Sequence, residues 1–155
     1  MTFALNQSYT YWISRLANLL QESFNRELQT LDVTWPQWMV VNTVSRGVAD
    51  TPAEVARQLG VDRSAVTRLL DRLEKKGLLQ RQHSQQDRRS VTLSMTPGGA
   101  LMVEHMDEAA ERHQRDILAT LPESEQQMLK LQLSRLLREL GVESRDTWKS
   151  WRSAR

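Results

Sequence analysis

Long stretches near both ends of the chain place apolar residues three and four positions apart, the spacing of one face of an α-helix. In the N-terminal stretch these residues are Tyr9, Trp12, Ile13, Leu16, Leu20, Phe24 and Leu28. The pattern predicts a helix over residues 6–30. A second long helix is predicted over 97–120 and, after the break at Leu121-Pro122, a last helix over 123–140.

Three shorter helices are predicted in between, over residues 34–46, 52–59 and 62–76. Each is preceded or opened by a residue whose side chain can accept a bond from the first backbone N–H groups, and each ends just before a glycine. The capping residues are Thr34, Thr51 and Asp62, and the glycines are Gly47, Gly60 and Gly77. Pro52 occupies a first helical position, which suits proline.

Two short strands follow these helices, over Leu79–His83 and Ser90–Met95. In the second strand apolar and polar residues alternate, as expected when one face of a strand is buried. The polar segment Ser84–Arg89 joins them as a hairpin loop. The predicted fold class is therefore mainly α with a small β-hairpin, in the order helix, short turn, helix, hairpin.

Charge is unevenly distributed along the chain, although the net charge is only +2. Residues 57–89 contain nine basic and four acidic residues, whereas residues 90–142 contain five basic and eight acidic ones. A basic middle segment is typical of a surface that binds a polyanion such as nucleic acid. A merely solvated charged surface would have the same composition.

The predicted helix over 62–76 separates its residues into two faces. Val66, Leu69, Leu70 and Leu73 fall on one side, and Ser64, Thr67, Arg68, Asp71 and Lys75 fall roughly opposite. Hydroxyl and guanidinium groups on an exposed face suit base edges and phosphates in the DNA major groove. The alternative is an ordinary amphipathic surface helix.

The predicted hairpin loop carries Asp87, Arg88 and Arg89. An arginine at a hairpin tip beside a recognition helix can enter the adjacent minor groove, where the negative potential favours it. The Asp87 carboxylate can orient the Arg89 guanidinium by accepting its hydrogen bonds. The alternative is a solvated loop with an internal ion pair, which stabilises little.

Two segments resemble the MarR-type winged helix-turn-helix regulators. They are Thr51–Leu79, which includes Val-Asp-Arg-Ser-Ala-Val-Thr-Arg-Leu-Leu-Asp-Arg-Leu, and Asp87–Gly99, which begins Asp-Arg-Arg-Ser-Val-Thr-Leu. The resemblance implies a winged helix-turn-helix with a helical dimerisation region. It also implies a sequence-specific transcriptional regulator, a homodimeric repressor of a pseudo-palindromic operator in double-stranded DNA.

The resemblance also implies roles for individual residues. Ser64, Thr67 and Arg68 match the base-reading face, Arg72 matches a phosphate contact, and Arg89, oriented by Asp87, matches the minor-groove arginine of the wing. Arg88 is expected to touch phosphate. Two further basic side chains of the same helix, Arg63 and Lys75, complete the expected DNA-binding set.

One domain of 155 residues is expected, in four parts. Residues 34–96 form the DNA-binding winged helix, residues 1–33 and 97–145 form the helical dimerisation part, and 146–155 form a tail. An independent indication of a helix-packing face is the leucine ladder Leu129, Leu133, Leu136, Leu137 and Leu140. Packing within one chain is the alternative to packing against a second copy, and the role of Trp148 and Trp151 in the tail stays open.

A small, aromatic effector that releases DNA is expected from the family, in a cleft between the dimer region and the winged helix. The candidate ligand residues are Trp12, Arg15, Leu16 and Trp38. Aromatic rings suit an apolar pocket, but tryptophan is more often simply part of a core.

Other site chemistries are not supported. His83, His105 and His113 lack the spacing that places two ligands on one helical face, so no metal or other cofactor is expected and surface histidines are favoured. The chain has no cysteine, and therefore no thiol switch. No phosphate-binding glycine loop or nucleophile motif indicates an enzyme.

A module that binds other proteins is the broader alternative to a DNA-binding regulator. A winged helix used for protein contacts is disfavoured by its basic face, because lysine is depleted in such interfaces. No signal peptide or membrane span is evident, so we expect a cytoplasmic protein. The operator, the effector, the regulated genes and the sign of regulation are not specified by the sequence.

Overall fold

A computed structural model describes residues 4–83 and 91–142 and shows six α-helices and a two-stranded hairpin there. The elements are α1 (Tyr9–Gln29), α2 (Trp35–Ser45), α3 (Pro52–Leu59), α4 (Arg63–Lys75), β1 (Leu79–His83), β2 (Val91–Met95), α5 (Pro97–Leu118) and α6 (Glu123–Glu139). The predicted fold class, mainly α with a β-hairpin, is confirmed.

The helix ends differ from the prediction by up to three residues. Residues Leu5–Gln7 form a separate 3-10 turn, and α1 begins after Ser8, whose hydroxyl accepts a bond from the Tyr11 N–H at 3.2 Å. At their C-terminal ends, α5 stops two residues earlier than predicted and α6 one residue earlier. Terminal turns are the least determined part of any helix, because their last carbonyls lack partners within the helix.

Local capping chemistry positions the short helices. Thr34 and Gln37 form the expected capping box at the start of α2, and Thr51 accepts the Glu54 N–H at 3.3 Å at the start of α3. The hydrogen bond from the Asp50 N–H lowers the pKa of the Glu54 carboxyl. Asp62 occupies the N-cap position of α4. The prediction that its side chain caps the helix was wrong, because that side chain accepts no bond from the first backbone N–H groups of α4.

A first compact unit extends to His113, and its main core lies among α2, α3, α4, the hairpin and α5. The side chains at most 2% exposed include Val40, Val41, Val55, Val66, Leu70, Leu73, Leu79 and Met106. A smaller cluster contains Phe24, Leu28 and Ala109, with Trp35 and Trp38 packed against it. The apolar stripes predicted for α3 and α4 therefore face the interior of this unit.

The hairpin is attached to the helices by backbone bonds at both of its edges. Strands β1 and β2 pair antiparallel, from Leu79 opposite Met95 to His83 opposite Val91. The Leu93 N–H donates to the Asp50 carbonyl at 2.6 Å, so the segment before α3 extends the sheet by one bond. The Thr96 N–H donates to Leu78 O at 3.1 Å at the other end.

A second compact unit begins at Gln114 and contains α6. The Gln126 amide donates to the carbonyls of Leu118 and Leu121, at 3.1 and 2.8 Å, and so bridges the break before α6. Of the helices that the structure describes, none is long and apolar enough to cross a membrane.

Candidate functional site

Helices α3 and α4 form a helix-turn-helix whose turn is set by Gly60. This residue lies in the left-handed region at φ 65°, and the Val61 N–H then closes the turn on Ala56 O at 3.1 Å. Val66, Leu70 and Leu73 anchor α4 in the core. Because these residues occupy one side of α4, its opposite side is presented outward.

All six α4 residues predicted to bind DNA lie on that exposed side. They are Arg63, Ser64, Thr67, Arg68, Arg72 and Lys75. The Thr67 hydroxyl donates to Arg63 O at 2.9 Å, which leaves its lone pairs free to accept a bond from a base amino group. The exposed side thus combines hydroxyl groups with four cations.

Two carboxylates of the same helix, Asp71 and Glu74, are held in ion pairs. Asp71 lies on the exposed side as the sequence pattern predicts, but it is bound to a cation of β1. The Arg81 guanidinium on β1 donates to Asp71 Oδ1 at 2.7 Å and to Glu74 Oε2 at 2.6 Å. Sequence reasoning overlooked Arg81. A signal was available, because Arg81 shares a strand face with buried Leu79, and a cation on an inward face needs acidic partners.

The C-terminal end of α4 is bound to the turn between α1 and α2. Lys76 forms an ion pair with Asp32, at 3.0 Å between Nζ and Oδ2, and also bonds its carbonyl. Asp32 is the described non-glycine residue with positive φ, at 54°. This contact connects the recognition helix to the end of α1.

The wing residues Asp87, Arg88 and Arg89 lie outside the described residues, as does the 146–155 tail with Trp148 and Trp151. The start of the predicted second strand, Ser90, also lies outside them. The paired strands β1 and β2, which flank the wing residues in the sequence, connect α4 to α5.

The four residues predicted to bind a ligand are not brought together within the chain. Trp12, Arg15 and Leu16 are exposed on the N-terminal half of α1, where the Trp12 indole donates to Asn6 O at 2.8 Å. Trp38 instead stacks on Trp35, and its ring centroid lies 5.0 Å from that of Phe24. Trp12 and Phe24 are twelve positions apart on α1, which corresponds to about 18 Å along the helix axis.

An apolar hollow of about 330 Å³ lies directly beside the basic side of α4. Its apolar lining residues are Pro36, Met39, Leu59, Val61, Ala65 and Leu69. Two arginines, Arg68 and Arg72, also line it. An apolar wall with a few polar groups is the usual character of a small-molecule site.

The prediction of surface histidines was wrong for His113. Its side chain is buried and stacks on Phe24, with ring centroids 5.0 Å apart, because the apolar face of α5 continues through this position. His83 and His105 are exposed. Over residues 4–83 and 91–142, no group of three or more His, Asp or Glu side chains is arranged to hold a metal ion.

Comparisons with known proteins agree with this geometry. The model of the MarR family matches residues 31–90. The multiple antibiotic resistance protein MarR of Escherichia coli K12 is 34% identical over 96 residues, which cover 59% of this chain and 67% of MarR. The regulator PecS of Dickeya dadantii is 28% identical over 131 residues, which cover 83% of this chain and 79% of PecS.

Solved structures extend the similarity to nearly the whole fold. A mutant of E. coli MarR complexed with operator DNA superposes with a TM-score of 0.73 and 28% identity. That match covers 88% of this chain and 99% of the MarR chain.

Proposed function

The chain belongs to the MarR family of transcriptional regulators, and from that premise we propose that it is a homodimeric repressor of a pseudo-palindromic operator. The observation that carries the proposal is the exposed side of α4, where hydroxyl groups and cations stand on the second helix of a helix-turn-helix. In this motif the second helix enters the major groove.

On this proposal, the side chains of α4 divide into two classes. Ser64, Thr67 and Arg68 contact base edges, since they occupy the N-terminal half of the exposed side, which reaches the groove first. Arg63, Arg72 and Lys75 contact phosphates and set the register of the helix on the duplex. In the wing, Arg89 enters the minor groove, Asp87 orients it and Arg88 contacts phosphate.

A second copy of the chain is the proposed partner of the exposed apolar side chains on α1 and α6. On α1 these are Tyr9, Trp12, Ile13, Leu16 and Leu19, between 44% and 85% exposed. On α6 they include Leu133, Leu136 and Leu137, and Leu140 follows at the C-terminal cap of that helix. On each helix taken by itself, a row of exposed apolar side chains of this kind is typical of a protein interface. We accordingly assign residues 1–33 and 97–145 to dimerisation and 34–96 to DNA binding.

A small aromatic acid is the proposed effector that releases DNA. The hollow beside α4 supports this, because its apolar walls can hold a ring while Arg68 and Arg72 can hold a carboxylate. A ligand there would occupy two arginines that the operator needs. Trp12, Arg15, Leu16 and Trp38 remain the second candidate region for the effector.

Footprinting on the DNA upstream of the chain's own gene tests the proposed function. We expect the protein to protect a pseudo-palindrome whose half-site centres lie about 34 Å apart, one helical turn. A random-sequence duplex of equal length is the control, and it should bind far more weakly. Equal affinity for both duplexes, or protection of one asymmetric half-site by a monomer, would contradict the proposal.

A further inference from the structure

Arg81 on β1 bonds to the recognition helix α4 through both its guanidinium and its backbone N–H. A side chain that only binds one phosphate would not need these contacts. The Nη1 atom of Arg81 donates to Asp71 and Glu74, at 2.7 and 2.6 Å, and its Nη2 donates to Thr67 O at 3.2 Å. Its backbone N–H donates to the other Glu74 oxygen at 2.9 Å. One residue of β1 therefore holds about two turns of α4, from Thr67 to Glu74.

The Arg81 side chain is directed toward the helix and not toward solvent. Only 21% of it is exposed, compared with 52% of Asp71 and 33% of Glu74. A planar guanidinium can serve several acceptors at fixed angles, which a lysine ammonium cannot do as well. The contact therefore also sets the angle between α4 and the strand that leads to the hairpin loop.

Asp71 has two other cations within reach on its own helix. Arg68 precedes it by three residues and Lys75 follows it by four, and both spacings allow an ion pair on a helix surface. Among the ion pairs of the described residues, however, Asp71 is bound to Arg81, and Arg68 and Lys75 are in none. Arg81 thus leaves Arg68 and Lys75 available to DNA.

We propose that Arg81 is a positioning residue for DNA binding, which neutralises Asp71 and Glu74 and holds the hairpin strand on the recognition helix. This role rests on the proposed function. Without Arg81, two carboxylates would stand on the DNA-facing helix, where they would repel phosphates and compete for Arg68 and Lys75. Like charges brought together in this way cost binding energy and specificity.

Neutralising the two acids provides the decisive test. The probes are the upstream duplex that the wild-type protein protects and a random-sequence duplex of equal length, each measured by fluorescence anisotropy. Arg81→Met should weaken binding to both duplexes by about tenfold. Adding Asp71→Asn and Glu74→Gln to Arg81→Met should restore most of the lost affinity. In the wild-type background the same two changes should alter the affinity several-fold less.

Arg26→Met is the matched control, because it removes one exposed positive charge from the C-terminal end of α1, outside the apolar stretch Tyr9–Leu19 that is proposed to face the second copy, and leaves α4 unchanged. It should change the affinity less than twofold. Thermal unfolding followed by circular dichroism shows whether each variant is folded. If Arg81→Met does not fold, Arg81→Lys keeps the charge but not the forked geometry, and it should show a partial loss with the same rescue.

The outcomes separate this role from the proposed function. If the wild-type protein binds neither duplex, the proposed function and this role both fail. If the wild type binds and Arg81→Met binds equally well, only the role of Arg81 fails. A loss in folded Arg81→Met that the neutral variants do not restore would identify Arg81 as a direct phosphate contact or a purely structural residue, and would overturn the proposal.

Discussion

Single residues decide how closely the elements of the winged part approach one another, and Gly99 shows this most directly. A Cβ atom built on Gly99 would lie 1.9 Å from the Leu78 carbonyl oxygen and 2.8 Å from its carbon. The Gly99 N–H also donates to the Thr96 hydroxyl at 2.9 Å. Helix α5 can begin against the turn between α4 and β1 only because this position has no side chain.

Gly99→Ala should therefore destabilise the fold by about 3 kcal/mol, since rigid backbone atoms must move to admit the methyl group. Gly98→Ala is the control on the same turn of α5. Its Cβ would meet nothing nearer than 3.8 Å, so we expect no loss, or a gain of about 0.5 kcal/mol from reduced chain entropy. Urea unfolding of the two variants measures the difference, and equal stability would show that the backbone yields.

Arg68 is the residue on which base reading is expected to depend most. It is exposed near the middle of α4 and in no ion pair of the described residues. Arg68→Ala should cost about 1–3 kcal/mol on the protected operator and relax preference at one base position. Competition binding with single-base operator variants measures this. An equal loss on operator and random DNA would show a phosphate contact only.

At the scale of elements, the hairpin and α4 must act on DNA as one surface, and the two wing residues Asp87 and Arg89 should differ in kind. On the proposed function, Arg89→Ala removes the charge that enters the minor groove. It should weaken binding and reduce the slope of log affinity against log salt by about 0.9 per subunit, because one counterion fewer is released.

Asp87→Ala is the more informative of the two wing variants. Counting charges predicts stronger binding, because a repulsive carboxylate is lost. The orienting role predicts weaker binding with an unchanged salt slope, because a freed Arg89 must lose rotamer entropy to reach the groove. We expect the second result in a salt titration of operator affinity. A gain in affinity at physiological salt would refute the orienting role.

At the scale of the whole molecule, α6 offers a matched pair of leucines for testing the dimer. Leu133 and Leu131 are 42% and 37% exposed, but two positions along a helix turn the side chain by about 200°. Leu133 belongs to the leucine ladder, whereas Leu131 points to the other side of α6.

Leu133→Glu should convert the protein to a monomer at micromolar concentration and abolish protection of the full operator, because a charge would be buried in the interface. Leu131→Glu should leave both properties nearly unchanged. Sedimentation velocity and footprinting measure the two effects. A dimer that tolerates both substitutions would place the interface elsewhere.

The proposed effector also acts on the molecule as a whole, because it couples a small ligand to DNA release. The chain has no cysteine, so peroxide should not release DNA through a thiol switch. Phenolic and other aromatic acids should instead quench tryptophan fluorescence and weaken operator binding. A panel of such acids that produces neither change would remove the support for an aromatic effector.

Much of this molecule could be predicted from local signals. Each α4 residue predicted to bind DNA is exposed, because the apolar stripe of Val66, Leu70 and Leu73 determines which side of the helix remains outside. The cap at Thr51 and the turn at Gly60 likewise depend on neighbours only a few residues away. Short-range periodicity and capping chemistry are sufficient for such features.

The sequence by itself determined the order of the elements, the buried stripes of α3 and α4 and the family motifs of the winged part, because all of these depend on local spacing. Only the tertiary structure decided that Arg81 binds Asp71 and Glu74, that Trp38 joins Phe24 and not Trp12, and that His113 is buried. These pairings join side chains on different elements. They depend on how helices and strands pack in three dimensions, which no local pattern of residues specifies.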